Sequence, residues 1–252
     1  MSILAVTGLK KSFGGVQAVT DVSFDVAPGE MLALIGPNGA GKSTCFNMLN
    51  GQIRPDAGRI RLDGADITGL PPRIVARHGV GRTFQITATF ASMTVRENVQ
   101  LALLAHHRRI WDFLRPAADQ FRVEAETLLH RLDMLPQADR AAGILAYGDL
   151  KRLELAVALA GAPRLLLMDE PTAGMAPSER VALMRLTRDL ASTTGLAILF
   201  TEHDMDVVFG TADRILVLNR GELIAAGDAD AIRANPRVRE VYLGSGAATG
   251  GH

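Results

Sequence analysis

Residues 36–44 read GPNGAGKST, and they match the pattern G-x-x-x-x-G-K-[ST] through Gly36, Gly41, Lys42 and Ser43. The preceding run, MLALIG (31–36), is apolar and ends in glycine, which predicts a buried strand. The following run, CFNMLNG (45–51), carries Phe46, Leu49 and a terminal glycine, which predicts a helix. Strand, glycine loop and helix in this order are the setting the motif needs. Glycines let backbone amides crowd around phosphate oxygens. The loop feeds a helix N-terminus, which attracts anions. Lys42 is suited to the β- and γ-phosphates, and the Ser43 hydroxyl to Mg²⁺.

The chain has 252 residues and is 48% hydrophobic, enough for one large α/β domain or one domain with inserted subdomains. Lys+Arg and Asp+Glu are both 27, so no global field steers it to nucleic acid. One cysteine, Cys45, excludes an internal disulfide framework and fits a reducing cytoplasm. The start, MSILAVTGLKKSFGG, lacks a basic segment before an apolar one, so no secretory leader is expected. No run approaches the ~20 apolar residues of a membrane span.

Residues 3–8 and 22–26 read as strands separated by a Gly14-Gly15 turn. RIRLDGADI (59–67) reads as a strand, an Asp63-Gly64 turn and a short strand. Between 86 and 147 the pattern turns helical, with Val99 and Leu103 on one face and Leu128, Leu132 and Leu135 on another. Beyond it, helices near 149–161, 178–191 and 204–211 alternate with strands at 165–169, 196–201 and 214–218. That alternation implies a parallel sheet. The small, polar end GSGAATGGH (244–252) is expected to be a flexible tail.

RLLLMDE (164–170) is an apolar strand ending in two carboxylates, at the edge where open α/β sheets place ligands. Asp169 is suited to hold Mg²⁺, mainly through water, and Glu170 to polarise an attacking water. Gln85 follows GVGRTF, and His203 follows the strand AILFT. Gln85 is placed to meet Mg²⁺ or water, and His203 to donate to a γ-phosphate. Taken alone, each is more often an ordinary polar residue. LAYGD (145–149) precedes the helical run KRLELAVALAG, a second anion site at a helix start. A second site makes sense if it serves the ATP of another subunit.

GPNGAGKST, Gln85, LAYGD, LLLMDEP and His203 together stand in the order and spacing of an ABC-type ATPase subunit, and the resemblance spans residues 3–243. It implies an α/β P-loop NTPase: a RecA-like core with an antiparallel β subdomain (1–85 and 150–243) and an inserted helical subdomain (about 86–149). It implies ATP and Mg²⁺ as ligands. Phe13 would stack on adenine. Gly36, Pro37, Asn38, Gly39, Ala40, Gly41, Lys42, Ser43 and Thr44 would cradle the phosphates. Leu145, Ala146, Tyr147, Gly148 and Asp149 would close on the ATP of a second ATP-binding subunit, identical or different. Ser43, Gln85 and Asp169 would hold the metal, with Glu170, His203 and Gln85 catalytic.

RTFQ, LAYG, DEPTAGM and the ending VREVYLG are similar to the ATPase of branched-chain amino acid importers. That likeness implies two membrane permease subunits, an indirect link to a substrate-binding protein, and a place on the cytoplasmic face of the plasma membrane. A urea or amide importer, a lipopolysaccharide-export ATPase and a soluble ABC clamp are the alternatives. A GTPase is disfavoured because the chain has no N-K-x-D base reader. Two residues depart from the family pattern: Ala146 replaces the signature serine, and Ala176 stands where many relatives have Asp. Unequal ATP sites in a mixed pair are the expectation that follows. The segment 105–120, with WDFLRP inside it, fits a permease contact and a surface loop equally.

Overall fold

The fold is taken from a computed structural model, which describes residues 2–83, 89–109 and 119–243. Gln85, WDFLRP and the tail 244–252 lie outside the described residues. In chain order the first elements are β1 (Leu4–Phe13), β2 (Val16–Val26), β3 (Met31–Ile35) and α1 (Lys42–Leu49). Then come β4 (Ala57–Leu62), β5 (Ala65–Asp66), α2 (Pro72–Arg77) and β6 (Val80–Arg82). Three helices follow: α3 (Val95–His106), α4 (Arg122–Arg131) and α5 (Tyr147–Leu159). The rest is β7 (Leu165–Asp169), α6 (Pro177–Thr194), β8 (Ala197–Thr201), α7 (Met205–Thr211), β9 (Arg214–Asn219), β10 (Glu222–Gly227), α8 (Ala229–Ala234) and α9 (Pro236–Leu243).

Among the described residues the strands form two sheets, one in the order β2-β1-β4-β5 and one in the order β10-β9-β3-β8-β7-β6. The first is antiparallel. The second is parallel except for β10, which returns antiparallel to β9. The central strands MLALI, LLLMD and AILFT are almost wholly apolar because both faces are covered. Their alternation divides the interior in two. Met31, Ala33, Ile35, Leu166, Met168, Ile198 and Phe200 face one core, which Val99, Leu129 and Leu153 complete from the helices. Leu32, Leu34, Leu165, Leu167, Ala197 and Leu199 face the other, shared with α1 and the antiparallel sheet through Phe46, Leu4 and Ile60. The parallel sheet is therefore the wall between a helical layer and a β layer.

Several elements depart from the reading of the sequence. The β1–β2 hairpin runs out to Phe13 and Val16, well past the predicted 3–8 and 22–26. Its polar residues Ser12 and Gln17 pair on an exposed end. Helix α1 begins at Lys42, not Cys45. Leu135 leaves the predicted helical face: α4 stops at Arg131, and Leu135 opens a short 3-10 turn with 38% of its surface exposed. Thr94 starts α3 with a capping box, its hydroxyl accepting from the Glu97 amide (3.2 Å) and Glu97 accepting from the Thr94 amide (2.7 Å).

Candidate nucleotide site

The glycine loop leaves β3 and enters α1, so its shape is set by what surrounds its two ends. Gly36 has φ 154° and Gly41 has φ 107°. A Cβ on Gly36 would stand 2.1 Å from the Leu218 carbonyl oxygen, and one on Gly41 would stand 2.4 Å from that of Ala18. Backbone of β9 and β2 fills the space a side chain needs, which is why both positions are glycine. Between them Asn38 and Gly39 are exposed and Ala40 is buried. Ser43 is exposed on the first turn of α1.

Lys42 is 8% exposed. Its Nζ donates to the carbonyls of Gly36 (2.6 Å) and Pro37 (3.1 Å). Burial lowers its pKa, against the pull of the Glu170 and Asp169 carboxylates. The positive charge and both acids thus share one electrostatic site.

Asp169 ends β7 beside Thr201 of β8. The Thr201 hydroxyl donates to Asp169 Oδ1 at 2.8 Å, and Arg82 Nη2 stands 3.2 Å from Oδ2. Both carboxylate oxygens are therefore oriented by protein groups. Arg82 also donates to Asn47 (2.8 Å) and Gln52 (3.2 Å), tying the edge strand β6 to α1 and the loop after it. Glu170 takes a left-handed backbone, φ 49°. Its amide donates to the carbonyl and to the hydroxyl of Thr201, both at 3.1 Å. That turn swings the side chain to His203, whose Nε2 lies 2.8 Å from Glu170 Oε1. Glu202, buried next to His203 in the chain, accepts from the Thr172 amide (2.8 Å) and hydroxyl (2.6 Å) and so fixes the loop after Glu170. Sequence reasoning missed Arg82, Thr201 and Glu202 as site residues. Their partners lie about 30 to 87 positions away, so no local pattern marks them.

LAYGD forms the start of α5, with Ala146 at the N-cap and no side-chain cap bond. Tyr147 donates its hydroxyl to the Ala173 carbonyl (3.1 Å), and Asp149 accepts from Gln137 (3.0 Å). A Cβ on Gly148 would meet Glu179 Oε1 at 2.8 Å. Glu179 in turn accepts from the Ala176 amide (3.2 Å). Alanine has no oxygen to complete a capping box there, so only the glutamate half exists. LAYGD is thus bound to the loop that follows Glu170. Among the described residues no hydrogen bond or ion pair joins it to residues 36–44. Phe13 lies at the end of β1, 47% exposed, with Lys11 Nζ 5.4 Å from its ring centre. The strand across the turn carries Ala18, which abuts Gly41.

Among the described residues no cluster of three His, Cys, Asp or Glu side chains could cage a metal. One hydroxyl and one carboxylate instead suit Mg²⁺, which keeps water and takes phosphate oxygens as ligands. No described helix is long and apolar enough to cross a membrane.

A glycine loop at a helix start, with a strand-end acid pair and a histidine from the next strand, defines a nucleotide-binding P-loop cassette. Comparison with known proteins agrees along nearly the whole chain. The family model described as ABC transporter matches residues 19–173, and that of the branched-chain amino acid ATP-binding cassette transporter matches residues 222–248. The high-affinity branched-chain amino acid transport ATP-binding proteins LivG of Escherichia coli and BraF of Pseudomonas aeruginosa are each 42% identical, covering 96% of this chain and 98% of theirs. The lipopolysaccharide export ATP-binding protein LptB of Acidithiobacillus ferridurans is 40% identical over 96% of this chain and 97% of its own. A solved ATP-binding cassette of an ABC transporter, in its ADP conformation, is 32% identical with a TM-score of 0.87, covering 97% of this chain and 99% of that one. The chain belongs to the ABC transporter family of ATP-binding subunits.

Proposed function

We propose that this chain hydrolyses ATP to drive an importer of branched-chain amino acids, at the cytoplasmic face of the plasma membrane and against two permease subunits. The carrying observation is the full-length likeness to LivG and BraF, both branched-chain amino acid transport proteins, on a chain that keeps Lys42, Asp169, Glu170 and His203 in one site.

In this reading residues 36–44 hold the phosphates through backbone amides, and Lys42 turns from the Gly36 carbonyl toward a phosphate oxygen. Phe13 stacks on the adenine. Ser43, Asp169 and Gln85 would hold Mg²⁺, which when bound would supply positive charge against the phosphates. Glu170 polarises the attacking water, and His203 donates to the γ-phosphate. Leu145, Ala146, Tyr147, Gly148 and Asp149 face the ATP of a second ATP-binding subunit. The two composite sites are unequal in this reading, because this chain, with Ala146 and Ala176, pairs with a different ATP-binding subunit. The helical segment about 86–149, joined to the core through Gln85, carries closure to the permeases.

The test is to capture the tagged chain from detergent-solubilised native membranes and identify its companions by mass spectrometry. Two hydrophobic permeases of an amino acid system with a second ATPase support the reading. A lipopolysaccharide-export complex, the alternative that the 40% identical LptB favours, or a soluble nucleoprotein overturns it.

A further inference from the structure

Strand β1 outruns its neighbour β4. Their pairing ends where Ala57 stands opposite Lys10. Among the described residues Lys11, Ser12 and Phe13 pair only with β2, through Val19, Gln17 and Val16. Asp56, the residue before β4, closes that gap with its side chain. Its amide donates to the Lys10 carbonyl at 2.9 Å. Its Oδ2 accepts from the Ser12 amide at 2.7 Å, and its Oδ1 accepts from Lys11 Nζ at 2.6 Å. The carboxylate thus stands in for a backbone carbonyl that β4 does not supply, one rung past the end of the strand. The bond from Lys11, then that from the Ser12 amide, holds the Asp56 carboxyl below the usual aspartate range, so the acceptor stays ionised at neutral pH.

Phe13 is the residue that this rung steadies. It follows Ser12 directly and is about half exposed. Lys11 Nζ, tied to Asp56, lies over its ring, so an incoming base has the other face. On the return strand, the Ala18 carbonyl fills the space beside Gly41. The end of the hairpin that carries Phe13 is therefore packed against the phosphate loop. A base can stack on that ring only while the phosphates are seated in the loop, so the two must be held at a fixed separation. Fixing the ring before the ligand arrives removes an ordering cost from binding.

We propose that Asp56 is a positioning residue for adenine binding: its carboxylate extends the β1–β4 ladder by one rung and so holds Phe13 beside the phosphate loop in the attitude on which a purine stacks. Asp56 touches no nucleotide itself; it acts through Phe13. The inference rests on the reading of Phe13 as the residue that stacks on adenine.

The experiment is a double-mutant cycle on the purified full chain, read as the Kd for ADP by calorimetric titration in wild type, Asp56→Ala, Phe13→Ala and the double variant. With 48% of the Asp56 side chain exposed, alanine there opens no cavity. Phe13→Ala is expected to raise Kd about five-fold or more, the share of one base stacked on an aromatic ring. Asp56→Ala should raise it about two- to ten-fold, the span of one lost hydrogen bond. In the Phe13→Ala background the same substitution should leave Kd unchanged within error, because the residue it positions is gone. Asp56→Asn keeps an oxygen for the Ser12 amide and loses the charge that draws Lys11, so its Kd should lie between those of wild type and Asp56→Ala. An equal rise in both backgrounds overturns the proposal, since Asp56 would then act on the loop without Phe13. So does an unchanged Kd in Asp56→Ala, whether or not the melting temperature falls. An asparagine variant as weak as alanine overturns the extra rung as the means. If Phe13→Ala binds ADP as wild type does while wild type binds normally, it is the adenine reading that fails, and the proposal with it.

Discussion

His203 Nε2 lies 2.8 Å from Glu170 Oε1, so the two groups proposed for the attacking water and the γ-phosphate are hydrogen-bonded to each other. They reach that distance by separate means. Glu170 is turned by its left-handed backbone and by two bonds from its amide to Thr201. His203 is set by β8, whose register places Thr201 opposite Asp169. A side chain at the end of either strand is thus read against the other through Thr201.

Groups that act as a unit give non-additive losses. Glu170→Gln is expected to lower ATP turnover about 10²–10⁴-fold, the usual share of a general base, and to trap an ATP-bound dimer. His203→Ala should also lower turnover. The double variant should sit within a few-fold of Glu170→Gln alone. Steady-state hydrolysis of the four proteins decides it; a product of the two single losses in the double variant would mean the pair acts independently.

Arg82 and Asp169 pair at 3.2 Å with both side chains largely buried. Arg82→Ala leaves the carboxylate without its cation and strands Asn47 and Gln52. A loss of about 1–3 kcal/mol is expected, which lowers the melting temperature by about 2–4 °C per kcal/mol in a chain of this size. Because Mg²⁺ would neutralise the same carboxylate, the deficit against wild type should shrink when melts are run with Mg²⁺ and ADP rather than with EDTA. An equal deficit in the two buffers would show that Arg82 and the metal do not share Asp169.

The phosphate loop was legible from sequence because its signal is local: glycines where backbone crowds, a lysine and a hydroxyl next to one another. The central strands were legible because parallel strands buried on both faces read as unbroken apolar runs. Helices α2, α8 and α9 and strands β6 and β10 were not, since each is short and is held by tertiary packing rather than by its own propensity. Arg82, Thr201 and Glu202 escaped for a related reason. Each acquires meaning only from a partner brought near by the fold, and nothing in the neighbouring residues records it.

Cys45 is fully buried on α1, and burial pushes its thiol up to about 12. As the chain's single cysteine it is a clean reporter. It should resist N-ethylmaleimide at pH 8 in the folded protein and label fully in denaturant, read by intact mass. The same burial bears on stability. The folded thiol holds its proton where the unfolded one, with an ordinary value near 9, has lost it. The stabilisation is therefore complete below about pH 9 and fades as pH climbs from 9 toward 12, by about 1.4 kcal/mol per unit. Urea unfolding at pH 9 and 10 should show a steeper loss in wild type than in Cys45→Ala. Parallel slopes would remove Cys45 from the alkaline transition.

Ala146 stands at the N-cap of α5 with extended backbone, φ −62° and ψ 154°, and offers the first turn no acceptor. That geometry already suits a hydroxyl. Ala146→Ser is expected to let the side chain accept from an amide of the first turn and to add about 1 kcal/mol of stability, or about 2–4 °C in melting temperature. If the serine hydroxyl turned instead to solvent, the melt would stay where it is. A rise in melting temperature together with faster ATP turnover in the assembled pair would also show that the missing hydroxyl limits the composite site proposed for LAYGD. A rise without a change in turnover would confine the effect to the helix cap and count against unequal sites as a consequence of Ala146.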